Sequence, residues 1–296
     1  MRRHYHAVRR EISSLNSIAR RHWPAGAPLV RSSPMEPSIY EYPDVFRRAH
    51  LESPGEIPAE VVFLQQLWKR YRKRPTRRVL DIACGDSPHG RLLAGNGNGF
   101  EIVGIDRSPT MIAAGRRKAG ALANLRFYRR SIEKFTLPER PFDAAIFMSE
   151  TFPVIVENAG LLSHLKSVGR ALKRGGLYCI DIDRQDPMPR VSQRTIWRER
   201  TAYAAGLALD IREFHRPIAW HSPLHSIYEL ECTIRFPNGA VTTRDLIPVR
   251  YTLPATLELA ALASGMFKMV GAYSDLSFSK PLDKCRYRWT GVLRRV

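Results

Sequence analysis

The sequence predicts an α/β fold: a doubly wound, mostly parallel seven-stranded sheet carrying an antiparallel β insertion. Three observations predict it. Strand-like and helix-like segments alternate between residues 77 and 183, as βαβ units require. The strands in that stretch are near-continuous apolar runs, which suits a sheet covered on both faces. After Asp183 the rhythm changes to long strand-like runs, two of them joined by the turn PNG at 237–239.

Residues 1–34 are rich in arginine and poor in acids, and no apolar stretch follows the basic start, so they read as a flexible tail, not a secretory signal. SIYEYPDVFRRAHL, with its paired tyrosines, reads as a short helix-containing segment. EIPAEVVFLQQLWKRYRK has apolar residues at helical spacing and stops at Pro75. RRVLDIA is then a strand, HGRLLAG a helix, FEIVGID a strand, SPTMIAAGRRKAG a helix, and LRFYRR and PFDAAIFM strands. NAGLLSHLKSVGRALKRG is a helix expected to end at Gly175-Gly176, and GLYCIDID is the fifth strand. TIWRERTAYAAG, LALDIREFHRPIAW, LHSIYELECTIRF and AVTTRDLIPVRYTL form the insertion, residues 184–250. LPATLELAALASG is a helix capped by Gly265, and MFKMVGAYSDL and CRYRWTGVLRRV close the sheet. The main domain is therefore read as residues 35–183 together with 251–296.

Composition narrows the function classes. The chain has 296 residues, 44% of them hydrophobic, but no apolar run of the ~18 residues that a membrane helix needs. Four scattered cysteines without a CxxC pair indicate reduced thiols and a cytoplasmic location. The net charge of +19, from 47 basic and 28 acidic residues, suits an anionic partner. The basic clusters are dispersed, however, and no RNP1 sequence or GXXG loop accompanies them, so a nucleic-acid partner rests on charge alone. His215, His221 and His225 lack the Cys or acid pattern of a metal site. One of them, His221, is a candidate substrate contact or base, since histidine titrates near neutral pH.

The stretch RRVLDIACGDSPHGRL carries most of the chemistry. In an open α/β sheet, ligands bind beyond the carboxyl ends of the strands, and a glycine there lets backbone approach closely. The loop is not GxGxxG and not a Walker loop, and its acids Asp81 and Asp86 oppose phosphate. A second carboxylate, Asp106, ends the next strand 21 residues beyond Gly85, where a nucleoside site accepts from ribose hydroxyls. A ribose without phosphate beside a positive centre points to S-adenosylmethionine.

VLDIACGDSPHG, VGIDRSPTMI, PFDAAIF and HLKSVGRALKRGGLYCIDI, in that order across residues 57–183, resemble the successive motifs of class I S-adenosylmethionine-dependent methyltransferases. The resemblance implies a Rossmann-like methyltransferase fold and methyl transfer to an N or O atom of a small molecule, without a metal. It places the family's three loop glycines at Ala83, Gly85 and Ser87. The cofactor contacts it implies are Asp81, Ala83, Cys84 and Gly85 in the first loop, Asp106, Arg107 and Met111 after the second strand, and Met148 after the fourth. Ser131 and Ile132 stand where the family commonly has a Gly-Asp facing the adenine. Tyr40 is expected to cover the cofactor, and the insertion to roof the active site. Glu150, at the edge between cofactor and acceptor, is the expected base or amine-orienting group, with His221 as a second catalytic candidate. The alternatives are an RNA methyltransferase and a non-catalytic S-adenosylmethionine-binding protein.

Overall fold

Buried apolar runs become parallel strands, and the 3.6-residue repeats become the helices that cover them. The computed structural model describes residues 30–31, 37–50, 56–95, 97, 99–139, 141–183, 195–204, 206–217 and 225–296. One sheet contains, in spatial order, β11 (Phe267–Ser274), β12 (Arg288–Arg295), β6 (Leu172–Asp183), β5 (Phe142–Phe147), β2 (Arg78–Ile82), β3 (Glu101–Asp106) and β4 (Leu125–Arg129). The five strands from β6 to β4 are parallel, and β12 enters antiparallel between β6 and β11. Strand order reverses beside β2, so the loop after β2 opens at the topological switch point.

Alternation along the strands sorts the core into two layers. Leu80, Ile82, Ile105, Phe147, Tyr178 and Ile180 pack with α5 (Asn158–Ala171) and α6 (Pro254–Ser264). Val79, Ile102, Ala144, Ile146 and Leu177 pack with α2 (Glu56–Tyr71), α3 (Pro88–Gly95) and α4 (Pro109–Ala119). The helix expected to reach Gly175-Gly176 ends at Ala171, because Leu172 already pairs with Phe142. Gly175 then takes the left-handed turn, at φ 75°. Pairing of Leu172 outcompetes the local helix propensity of residues 172–174.

The second sheet is antiparallel, in the order β1 (Val30–Arg31), β10 (Gly239–Arg250), β9 (His225–Phe236), β8 (Leu207–Pro217) and β7 (Thr195–Ala204). Its β1 falls within the stretch read as a tail and pairs with Leu246 and Asp245. One face buries Leu209, Ile211, Leu230, Cys232 and Ile234 against Ile39 and Val45. These two residues belong to the 3-10 turn Ile39–Glu41 and to α1 (Pro43–His50). The opposite face carries the exposed ion pairs Arg212–Glu199 and Arg235–Asp210. Among the described residues, no helix is long and apolar enough to cross a membrane.

Asp143 ties the amino-terminal edge of the main sheet together. Its carboxylate accepts from the N–H groups of Arg77 and Arg78, both at 3.0 Å, from Arg72 at 3.0 Å and from Lys173 at 2.8 Å. Burial opposes its ionisation, but these donors outweigh it and hold the carboxyl below its usual range. Asp143→Ala strands a nearly buried guanidinium, and is expected to lower unfolding free energy by about 3 kcal/mol at neutral pH, read by denaturant titration. The depressed group stabilises above the unfolded carboxyl value of about 3.9. That contribution is lost as pH falls through the lower folded value, so the variant and the parent should converge in acid.

Candidate active site

The loop after β2 is built on alternating left-handed backbone: Ala83 at φ 51°, Gly85 at φ 55° and Ser87 at φ 52°. These are the three positions to which the sequence comparison assigned glycines. For Ala83 and Ser87 the conformation is strained, and surrounding bonds enforce it. Cys84 N–H donates to Ile105 O at 3.0 Å, and Ser87 N–H to Cys84 O at 2.7 Å. Ser87 Oγ donates to Asp81 Oδ2 at 2.7 Å. A Cβ on Gly85 would meet nothing within 4 Å, so the space above the loop is open to a ligand.

Asp106 sits at the end of β3 and faces that loop. Gly85 N–H donates to its Oδ2 at 2.9 Å and Ser108 N–H to its Oδ1 at 2.8 Å. Burial raises its carboxyl, against the pull of those donors and of Arg107. Ser108 caps α4 by accepting from Met111 N–H at 3.2 Å. Asp81 is buried at the end of β2, and burial pushes it up to about 6 despite His89, Ser87 and the Gly90 N–H. Met111, Met148 and Cys84 are buried in the walls around the loop.

Tyr40 comes to the same edge from the N-terminal segment. Burial raises its hydroxyl, followed by Asp245, while Arg107 and Asp106 also act on it. The turn that carries it is pinned by a buried carboxylate of β10. Ser38 Oγ donates to Asp245 Oδ1 at 2.7 Å and Ile39 N–H to Oδ2 at 2.9 Å. The other end of the segment is held by Arg47 on Asp86, and by Lys118, which bridges Asp86 at 2.7 Å and Asp44. Asp86, read from the sequence as an acid repelling phosphate, is thus paired with Arg47 and Lys118, with Arg91 at 3.9 Å, and serves as an anchor. Ser131 is exposed, its Oγ accepting from Glu133 N–H at 3.3 Å. Ile132 packs on the core, and its carbonyl lies 2.6 Å from Nδ1 of buried His164. Burial lowers His164 to about 4, so it stands neutral between Ile132 and the Tyr178 hydroxyl.

A second group of acids gathers at the ends of β5 and β6. Ser149 and Glu150 leave β5 in the left-handed region, at φ 58° and φ 56°. Burial, then a hydrogen bond with Asp183, raises Glu150, and burial raises Asp183 in turn. Asp181 is raised by burial to about 8, with Arg288 opposing and Glu150 reinforcing the rise. Arg288 reaches Asp181 at 3.2 Å, Glu56 at 3.6 Å, and Glu60, which in turn meets His89. Glu213, from β8 of the second sheet, acts on Asp183. His221 lies outside the described residues. His225 Nε2 is 3.2 Å from the Val156 carbonyl. Among the described residues no group of His, Cys, Asp and Glu is arranged to hold a metal.

Asp81, Ala83, Cys84, Gly85, Asp106, Arg107 and Tyr40 therefore converge, whereas Ser131 stays at the exposed edge. The sequence reading missed Glu60, His89, Asp181, Asp183 and Arg288. A signal for two of them was present: in CIDID, alternate residues of an otherwise buried strand are acids.

Residues 79–176 match a family described as a methyltransferase domain. A trans-aconitate 2-methyltransferase of Acidovorax sp. (strain JS42) is 22% identical over 227 residues, 71% of this chain and 83% of the relative. Over other curated relatives the match spans about half their length, 42% and 54% for two bacterial methyltransferases. The sugar N-methyltransferase KedS8 from Streptoalloteichus sp. superposes with a TM-score of 0.66 at 21% identity, covering 93% of this chain and 100% of that one. S-adenosylmethionine-bound CalS10, an amino pentose methyltransferase from Micromonospora echinaspora, gives 0.65 at 14% identity, covering 89% and 99%. At these identities the structural likeness establishes the fold.

The geometry of Asp106 can be checked directly. Asp106→Asn is expected to weaken S-adenosylhomocysteine binding by about 1.5–3 kcal/mol, roughly ten- to more than a hundredfold, in calorimetric titration. Unchanged affinity would remove this carboxylate from the ribose site.

Proposed function

We propose that this chain, whose residues 79–176 match a methyltransferase domain, is a class I S-adenosylmethionine-dependent methyltransferase that transfers a methyl group to an N or O atom of a small-molecule acceptor. The observation that carries the reading is the left-handed loop after β2, with the Asp106 carboxylate aimed across it. The residues present fit the cofactor. The space above Gly85 admits a ligand against bare backbone, Asp106 offers acceptors for ribose hydroxyls, and Asp81 sits where the cofactor's ammonium would gain a counter-charge. When bound, the cofactor supplies a methyl group already made electrophilic by its sulfonium.

The protein's own task is positioning and deprotonation. Glu150 and Asp183 share one proton and therefore one negative charge. That charge orients an acceptor N–H or O–H and takes its proton as the new bond to carbon forms. Of the two acceptor types, nitrogen is favoured, because buried carboxylates stabilise an ammonium. KedS8, a sugar N-methyltransferase, and CalS10, an amino pentose methyltransferase, share this fold and support the choice. An RNA acceptor needs cations around the reacting base. The acceptor edge instead carries Glu150, Asp181, Asp183 and Glu213, which weighs against that alternative despite the net charge of +19. The four cysteines are free and buried, in keeping with a cytoplasmic site of action.

Methyl transfer from labelled S-adenosylmethionine to a panel of small amines and alcohols tests the reading. Glu150→Gln is expected to lower kcat by about 10²–10⁴ while leaving S-adenosylhomocysteine affinity unchanged. Full activity in that variant would exclude Glu150 as the base. A pH titration tests Asp81. Because it ionises near 6, cofactor affinity should fall as pH drops below that value, and Asp81→Asn should flatten the dependence.

A further inference from the structure

One buried cation near the ends of β5 and β10 forms no ion pair among the described residues. Arg250 ends β10, opposite His225, where β10 packs against the 3-10 turn Phe152–Val154 that follows Glu150 by one residue. The residue is only 6% exposed. Its Nη2 donates to Asn158 Oδ1 at 2.9 Å, but Nε and Nη1 are shielded from solvent and have no partner among the described residues. Burial lowers its pKa, and Glu157 opposes that only at a distance, since the two form no ion pair. Glu157 and Asn158 begin α5, a helix of 14 residues whose N-cap makes no side-chain bond. Open guanidinium donors thus stand beside the positive end of a helix dipole, and both features favour an anion. A buried guanidinium with unmet donors is costly unless something completes it. Its planar donor set matches carboxylate and phosphate oxygens.

We infer that Arg250 is the receptor for an anionic group, a carboxylate or a phosphate, carried by the acceptor. This rests on the reading that the edge at Glu150 is the acceptor site. The acceptor is then a small amine bearing an anion, its nitrogen toward the Glu150–Asp183 pair and its anion toward Arg250 and the start of α5.

The test uses the full chain saturated with S-adenosylhomocysteine, titrated calorimetrically with inorganic phosphate and separately with acetate. The parent protein should bind one of the two saturably, which identifies the anion as phosphate or carboxylate. Arg250→Gln should weaken that binding by about tenfold or more, with Arg250→Lys intermediate and S-adenosylhomocysteine affinity unchanged. Equal anion binding in the parent and Arg250→Gln, or no saturable binding of either anion to the parent, overturns the assignment. If Arg250→Gln does not fold, the same comparison is made with Arg250→Lys, where undiminished binding of both anions overturns it. Failure of the parent itself to bind S-adenosylhomocysteine would instead sink the methyltransferase reading.

Discussion

The carboxyl edge of the main sheet depends on one buried guanidinium. Arg288 serves Glu60 and Asp181 and lies near Glu56, and Asp181, Glu60 and Glu150 raise its pKa although burial works the other way. Removing such a cation would leave several carboxylates in low dielectric without compensation, which a buried edge does not tolerate. The backbone delivers Arg288 with matching care. Asp275 accepts from the N–H groups of Arg286 and Tyr287 at 2.9 Å and of Arg288 at 3.1 Å, so one carboxylate shapes the entry into β12.

From that cation the network runs in two directions. Through Glu60 it reaches His89 and then Asp81, beneath the loop after β2. Through Asp181 it reaches Glu150 and Asp183, at the ends of β5 and β6. Both halves of the site therefore stand in one electrostatic environment, in which each charge is held at the expense of its neighbours. Glu60 shows the balance: burial alone would raise it, yet His89 and Arg288 together bring it below its usual value.

The sequence made part of this legible. The loop after β2 could be read because its strand end, glycine and acid are contiguous, and Asp106 because the βαβ spacing recurs. Glu150 was visible as the first acid after an apolar strand. Arg288 was not, since it is one of 47 basic residues and lies 228 positions from Glu60. Only the insertion of β12 beside β6 brings it to the acids. Asp86 looked like a ligand-facing charge because Arg47 and Lys118, which neutralise it, come from elements distant in sequence. The end of α5 was misjudged because Leu172, Lys173 and Arg174 favour a helix locally, whereas Leu172 is recruited into pairing with Phe142.

Asp245 joins the turn bearing Tyr40 to the second sheet through Ser38 and Ile39, and Asp86 joins the same segment to the cofactor loop. The cover and the inserted sheet are consequently not interchangeable modules. A chimera that grafted a different insertion onto this scaffold would discard the Asp245 carboxylate and with it the anchorage of the N-terminal segment. Diversification of the acceptor pocket in such a lineage has to proceed by changes that keep Ser38, Ile39 and Asp245 in register, and those positions should co-vary.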